Sequence, residues 1–317
     1  MRTDRFRAPA VSLPLCLLLF ACGGGPENPA PGASSQIPAE PAAEAPPAPY
    51  SYPPPVSGHL EEINTGSFDL VDGIAYPAAG GAGTVVWVAS EPVASPVLAG
   101  SACPMTEARS LAVLRDAGYA EVTIDAGGRS DYFAYGTVFA GQSRELEVGG
   151  GYWKIDAAGA RDGRIAGRVH HKQYARFDFD LPLSQPAMTQ VSESDRMQGR
   201  RAAADLAAPE ESKLVATYEA IRKAARAGDL RGVLAAQGFA PEAIAKIRGL
   251  AGIDADFAAF ADRFFDPGTP EEPSVDAGHG GVGARGTNAK GEAFFNWYEF
   301  APCGDRLVLI SIGLNPQ

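Results

Sequence analysis

Histidine and cysteine are scarce in this chain of 317 residues, which contains four of each. The histidines are His59, His170, His171 and His279, and none of them has the His-x-His or His-x-x-x-His spacing of a shared metal site. Neighbouring side chains of a strand point to opposite faces, so His170 and His171 cannot bind one ion together. The sequence therefore predicts no metal site and no cofactor.

Catalytic and nucleotide-binding motifs are also missing. The chain has no Gly-x-Ser-x-Gly sequence, no paired catalytic carboxylates and no internal repeat. The glycines between Gly278 and Gly286 lack the following helix and Lys-Ser/Thr of a phosphate-binding loop. One enzyme alternative rests on His279, which needs a carboxylate within hydrogen-bond reach in a pocket. Three carboxylates are close to it in sequence: Asp262, Asp266 and Asp276.

A basic cluster is a further feature that the sequence lacks. The chain carries 27 Lys and Arg against 38 Asp and Glu, a net charge of −11. Such a chain is repelled by nucleic acid and by anionic membrane surfaces. The nearest candidate is Arg200-Arg201, two solvated charges in a polar stretch. We therefore predict no nucleic-acid partner.

The N-terminus has basic residues followed by a short apolar run. Arg2, Arg5 and Arg7 precede about a dozen apolar residues that include Pro14. A membrane-spanning helix needs about 20 residues. The run therefore predicts an export signal over residues 1–21 rather than a span.

The end of this signal, Leu19-Phe20-Ala21-Cys22, resembles the lipobox of bacterial lipoproteins. The resemblance implies cleavage before Cys22, a diacylglycerol on its sulfur and an amine acylated by a fatty acid such as palmitate. More than one acyl chain gives stable anchoring. Because Gly23 and not Asp follows the cysteine, the resemblance implies the outer membrane, with the protein facing the periplasm. The alternative is an ordinary secreted protein whose signal ends near a cysteine.

Proline is concentrated just after this cysteine. Residues 23–57 hold 11 of the 26 prolines, and such a segment buries too little apolar surface to offset its ordering entropy. Residues 22–57 therefore predict a lipidated cysteine and a disordered tether, reaching at most about 100 Å. Tyr50 and Tyr52 are either part of this linker or a docking motif for a partner.

Residues 58–183 predict a β-rich domain, a barrel or sandwich with one helix. That helix begins at Pro104 and ends before Gly118. Asp162-Gly163 between two extended runs predicts a hairpin, and Phe177, Phe179 and Leu181 alternate with polar residues, which predicts a core-facing side. The expected strands are Ser67–Ala75, Thr84–Ala89, Ala120–Asp125, Tyr132–Phe139, Tyr152–Ile155, Arg164–Val169 and Tyr174–Leu181.

After a polar stretch that predicts a second linker, residues 184–209, the apolar residues recur at helical spacing. One helix has the stripe Leu214, Tyr218, Ile221 and Ala225, between Pro209 and Gly228. The further helices are Leu230–Leu234, Pro241–Arg248 and one capped by Asp254. Three extended runs follow: Ser274–Arg285, Glu292–Phe300 and Arg306–Leu314. Residues 210–317 thus predict helices packed on an antiparallel sheet, and the whole chain an α+β fold.

Helices followed by an antiparallel sheet, with the closing sequence Gly304-Asp305-Arg306-Leu307-Val308-Leu309, resemble the nuclear transport factor 2-like superfamily. The resemblance covers Ser212 to Gln317 and implies a curved sheet and helices around an apolar pocket. In catalytic members that pocket contains an Asp or His. A generic α+β domain is the alternative. Six residues are candidates to line the pocket: Tyr218, Phe257, Phe260, Phe264, Trp297 and Tyr298.

Cys103 and Cys303 are the thiols that remain after lipidation and signal removal. An even pair in an oxidising compartment predicts a disulfide, which would join the two folded regions. The alternative is a reactive Cys103 thiolate at a helix start, although no histidine partner is near it in sequence.

Together these features predict a lipid-anchored protein of the bacterial cell envelope that binds a protein partner or a small apolar ligand. The alternatives are an isomerase- or hydrolase-like enzyme that uses the C-terminal pocket, and a structural protein of envelope assembly.

Overall fold

The computed structural model describes residues 46–62, 66–78, 81, 83–125, 127–129, 132–137, 143–146, 153–171, 175–186, 208–265, 268–270, 273–276, 279–287 and 291–316. They belong to one compact unit that begins at Pro46. The predicted signal, the predicted lipidation at Cys22, the tether up to Ala45 and most of the predicted linker 184–209 lie outside the described residues.

The described residues form an α+β fold of fifteen strands and six helices, as predicted for the class. The strands are β1 Val56–Glu62, β2 Gly66–Leu70, β3 Asp72–Pro77, β4 Thr84–Ala89, β5 Gly118–Ile124, β6 Tyr132–Thr137, β7 Ser143–Leu146, β8 Trp153–Arg161, β9 Arg164–His171, β10 Ala175–Pro182, β11 Gly268–Pro270, β12 Ser274–Asp276, β13 His279–Thr287, β14 Ala293–Cys303 and β15 Arg306–Pro316. The helices are α1 Ser95–Leu98, α2 Pro104–Leu114, α3 Glu211–Arg226, α4 Leu230–Ala236, α5 Pro241–Arg248 and α6 Ile253–Phe264. Among these, no helix is long and apolar enough to cross a bilayer.

The first ten strands form a sandwich of two sheets. The strand orders are β2-β1-β10-β9-β8 and β3-β4-β5-β6-β7, all antiparallel, and neither order of described strands closes into a barrel. One face of each sheet contributes to a common apolar core. Phe177, Phe179 and Leu181 are buried in it, so the predicted alternation along β10 is confirmed.

One predicted element boundary in the β-rich region is confirmed by the structure, and two others are wrong. Asp162 and Gly163 have φ of 52° and 71° and connect β8 to β9, which confirms the predicted hairpin. The predicted strand Ser67–Ala75 is instead two strands, because the chain passes from the first sheet to the second at Val71. The predicted stop of α2 at Gly118 is also wrong. Asp116 takes the left-handed position instead, with φ 51°, as Asp tolerates.

The C-terminal helices follow their predicted stripes. All four stripe residues of α3 are buried, and Phe257, Phe260 and Phe264 are buried on α6. The predicted cap of α6 is wrong, because the helix begins at Ile253 after Gly252, whose φ is 82°. Asp254 lies inside the first turn, where a carboxylate still interacts favourably with the helix dipole.

The third sheet has more strands than the three predicted. Its order is β11-β13-β14-β15, and β12 also pairs with β13. The predicted run Ser274–Arg285 reverses direction, since Asp276 pairs with His279, and is therefore two strands. The three-residue β11 is too short for a periodic pattern.

One large core joins the two regions that the sequence predicts as separate domains. It contains the second face of the β3–β7 sheet, residues of all six helices and the inner face of the third sheet. The predicted tether also ends early, because β1 begins at Val56 and Tyr50 forms a parallel bridge with Leu250. The two regions and the end of the tether are therefore in contact with one another.

Candidate functional site

Most of the residues predicted to line an apolar pocket form an aromatic centre within this large core. Five of the six candidate residues are buried: Tyr218, Phe257, Phe260, Phe264 and Tyr298. The ring centroids of Tyr218 and Tyr298 lie 4.8 Å apart, and those of Phe260 and Phe264 lie 5.4 Å apart. Phe265 adds a further ring, 5.3 Å from Tyr298. These rings are in packing contact with one another.

Two phenols stand at this aromatic centre. The Tyr298 hydroxyl donates to the Phe264 carbonyl oxygen, and Asn296 Nδ2 donates to the Tyr298 hydroxyl at 3.3 Å. Burial raises the pKa of Tyr218 to about 12, and burial also raises the pKa of Tyr298. Both phenols are therefore protonated at neutral pH and serve packing and hydrogen bonding.

Trp297 lies on the opposite face of β14 from Tyr298, because adjacent residues of a strand point to opposite faces. It pairs with Gly283 on one side and Gly313 on the other. Its indole covers Gly281, where a Cβ would stand 2.1 Å from Cζ2. The structure therefore separates Trp297 from the other five candidates.

Three of the histidines, His59, His170 and His171, lie on the first sheet of the sandwich, and His279 lies on the third sheet. His59 contacts Asp69 at 2.9 Å on the exposed surface, and His170 is exposed on β9. His279 begins β13 and is half-buried, whereas Asp262 is exposed on α6. The side chains of His171, Asp266 and Asp276 lie outside the described part of the structure. Within that part, no group of three His, Cys, Asp or Glu residues can hold a metal ion.

Helix α2 holds the two regions together at its N-terminal end. The structure joins Cys103, which precedes α2, to Cys303 at the end of β14, with Cα atoms 5.8 Å apart. Ser110 Oγ donates to Gln237 Oε1 at 2.7 Å, and the same oxygen accepts from Leu309 N at 3.0 Å. These contacts fix α2 against α4 and β15.

The C-terminal end of α2 is held by Arg115, whose side chain is 3% exposed. Its Nη2 lies 3.1 Å from Glu91 Oε2 and 2.8 Å from Asp256 Oδ2, and it donates to the Ala251 carbonyl at 3.1 Å. Burial raises the pKa of Glu91. The buried guanidinium therefore balances two partly exposed carboxylates, one from each region.

Asp72 forms a second buried polar centre, which the sequence analysis missed. Its carboxylate accepts from Val93 N at 2.7 Å and Gly73 N at 2.8 Å, and from the hydroxyls of Ser95 and Tyr52. Burial raises the pKa of Asp72 despite these hydrogen bonds. An Asp-Gly pair inside an apolar run gives no sequence signal for such long-range partners.

A shallow basic groove of about 640 Å³, largely open to solvent and lined by residues of one helix, lies along α3 and was also missed. It is lined by Glu219, Ala220, Arg222, Lys223 and Arg226. The Arg222 side chain is 16% exposed, and its Nη1 lies 3.4 Å from Glu219 Oε1. Among the described residues, Arg222 Nε is buried without a hydrogen-bond partner. The spacing 219, 222, 223 and 226 along one helix face was the available sequence signal.

No family model matches this chain, and no curated protein or solved structure matches it. The lipoprotein and nuclear transport factor 2-like resemblances therefore stay predictions.

Proposed function

We propose that this chain is a lipid-anchored protein of the bacterial envelope that binds an acidic segment of a partner protein in the α3 groove. The anchor is the predicted acylation of Cys22, and the outer membrane facing the periplasm is its proposed location. The observation that carries the binding proposal is the groove itself, with a mostly buried Arg222 among its basic residues.

The chemistry of the groove favours a carboxylate. A guanidinium has five N–H donors; Arg222 Nη1 has a long contact to Glu219, and Arg222 Nε has no hydrogen-bond partner among the described residues. Carboxylates accept two parallel N–H bonds from arginine. Lys223 and Arg226 lie on the same groove wall, so a segment with two or three acidic residues would meet three cations.

The charge of the whole chain favours a peptide segment over a lipid surface. The net charge of the chain is −11. A membrane surface is large enough to interact with the whole protein, and an anionic membrane therefore repels it. A short acidic segment inside the groove is governed by charges within about 8–10 Å, because salt screens the others. The local cations therefore decide its binding.

The aromatic centre argues against the alternative of a small apolar ligand. Its rings pack on one another at 4.8 to 5.4 Å between centroids, which is the spacing of packed aromatic pairs. A partner at the surface is therefore favoured over an internal ligand.

The binding proposal is tested by a photo-crosslinking amino acid at Ala220, in the groove, in the full exported chain. The matched control position is Ala258, which is exposed on α6. We expect a crosslinked protein from Ala220 only, with the crosslinked peptide rich in Asp or Glu and lost in Lys223→Glu/Arg226→Glu. Crosslinks that are equal at both positions, or that join a neutral peptide, would overturn the proposal.

The anchor is tested separately by metabolic labelling with palmitate. We expect label in the wild-type chain and none in Cys22→Ala. Unlabelled wild-type chain would refute the anchor without affecting the groove.

A further inference from the structure

Residues 46–54, which we call the strap, lie against the body at the end of the predicted tether. Tyr50 N donates to the Gly249 carbonyl at 2.8 Å, and Tyr50 bridges to Leu250. The Tyr52 hydroxyl donates to Asp72 and accepts from Ala94 N at 2.9 Å. The two tyrosine rings lie 5.6 Å apart and pack against the large core.

The surface that the strap contacts, which we call its seat, contains residues from both regions of the chain. Asp72 and Ala94 come from the β-rich region, and Gly249 and Leu250 follow α5. The strap passes so close to α5 that a Cβ at Gly249 would stand 2.4 Å from the Ala48 carbonyl oxygen. The contact is therefore specific, but it rests on few hydrogen bonds.

The strand that follows the strap is held much more firmly. Strand β1 lies inside its sheet and pairs with β2 on one edge and β10 on the other. This pairing begins at Pro55, whose carbonyl accepts from Asp180 N at 2.9 Å. Segments with few backbone hydrogen bonds open at lower free energy than paired strands, so opening from the N-terminus stops at Pro55.

We infer that the strap is a releasable section of the anchor. Load on the tether lifts the strap from its seat before any strand unfolds, and sheet pairing at Pro55 ends the release. Nine residues then lengthen the tether by up to about 30 Å and uncover the Asp72 carboxylate. This inference rests on the lipid anchor of the proposed function, because only an anchored chain transmits load to the strap.

The release is tested by pulling single molecules of the mature chain, unlipidated, between residue 22 and the C-terminus. We expect a first reversible step of up to about 30 Å, well below the force of global unfolding. Tyr52→Phe should at least halve the force of this step, because it removes the bond to Asp72. The matched control Tyr50→Phe should leave the force unchanged, because its backbone makes the contact. A strap that leaves only with the whole fold, or a Tyr52→Phe force equal to wild type, would overturn the inference.

Hydrogen exchange of the unaltered chain gives a second readout that needs no variant. The Tyr50 amide should exchange at least tenfold faster than the amides of β1, whereas equal rates would contradict a separately opening strap. Both measurements use purified protein, so their failure is distinct from a failure of the palmitate labelling that tests the anchor.

Discussion

The carboxylate of Glu107 on α2 pairs with the guanidinium of Arg306 on β15 across 199 residues of sequence. Arg306 also donates to the carbonyl oxygens of Gln237 at 3.3 Å and Gly238 at 3.1 Å. One arginine therefore ties α2, the end of α4 and the last hairpin together, next to the disulfide.

Glu107→Gln should destabilise the fold by about 1–3 kcal/mol, less than a fully buried pair, because Arg306 is 22% exposed. The free energy of unfolding in urea measures this. The control is Asp180→Asn, which breaks the exposed pair with Arg164 and should cost under about 1 kcal/mol. Equal losses in the two variants would contradict the role given to Glu107.

The Cys103–Cys303 disulfide should stabilise the same contact between α2 and the last hairpin. The double variant Cys103→Ser/Cys303→Ser should be about 2–5 kcal/mol less stable, because the bond closes a loop of about 200 residues in the unfolded chain. The chain denatured without reductant should have a mass two hydrogens lower than the same chain after treatment with reductant. A full thiol mass after periplasmic export would refute the bond.

The elements that sequence predicts well are those with a periodic pattern. The α3 stripe and the alternation on β10 identify buried faces because each depends on neighbours in sequence. The bond from Tyr52 to Asp72 and the partial burial of Arg222 depend on residues brought together by tertiary packing. For the same reason the sequence predicts the strap as part of the tether. Its proline content indicates local stiffness but does not indicate contacts with residues that are distant in sequence.

The sequence does not predict the boundary between β2 and β3, for a related reason. The chain changes from the first sheet to the second at Val71. The runs on both sides contain enough apolar or β-branched residues to predict one continuous strand. The groove on α3 was missed because charge was judged over the whole chain. A net charge of −11 conceals a local cluster of cations on one helix face.

Alkaline pH should weaken the fold through its buried phenols. The pKa of Tyr218 is raised by burial to about 12, and burial raises the pKa of Tyr298 and Tyr52 as well. Unfolded tyrosine ionises near pH 10, so the stabilisation is complete below about pH 10 and is lost as pH rises toward 12.

Urea unfolding between pH 8 and pH 11 measures this loss. Tyr298→Phe should be less stable than wild type at pH 8, since it lacks the hydrogen bond to Phe264, and the difference should narrow by pH 11. A difference that stays constant with pH would contradict burial of the phenol.

The glycine under Trp297 should be intolerant of a side chain. In Gly281→Ala the new Cβ would stand 2.1 Å from the indole Cζ2, so the indole has to move, at a cost of about 1–3 kcal/mol. In the control Gly313→Ala, the Cβ would lie 3.5 Å from Trp297 Cβ, an ordinary contact. Urea unfolding of the two variants should separate them, and similar losses would show that Trp297 does not lie over Gly281.

The most direct measurement of the central claim is calorimetric titration of the full exported chain with hexaglutamate at low and high salt. We expect binding that weakens with salt and falls at least tenfold in Lys223→Glu/Arg226→Glu. The control Lys213→Glu/Lys246→Glu makes the same charge change at exposed positions outside the groove and should stay within about threefold of wild type, a difference of about 0.6 kcal/mol. Equal losses in both variants, no binding by the wild type, or binding to phosphatidylglycerol vesicles in place of the peptide would contradict the account.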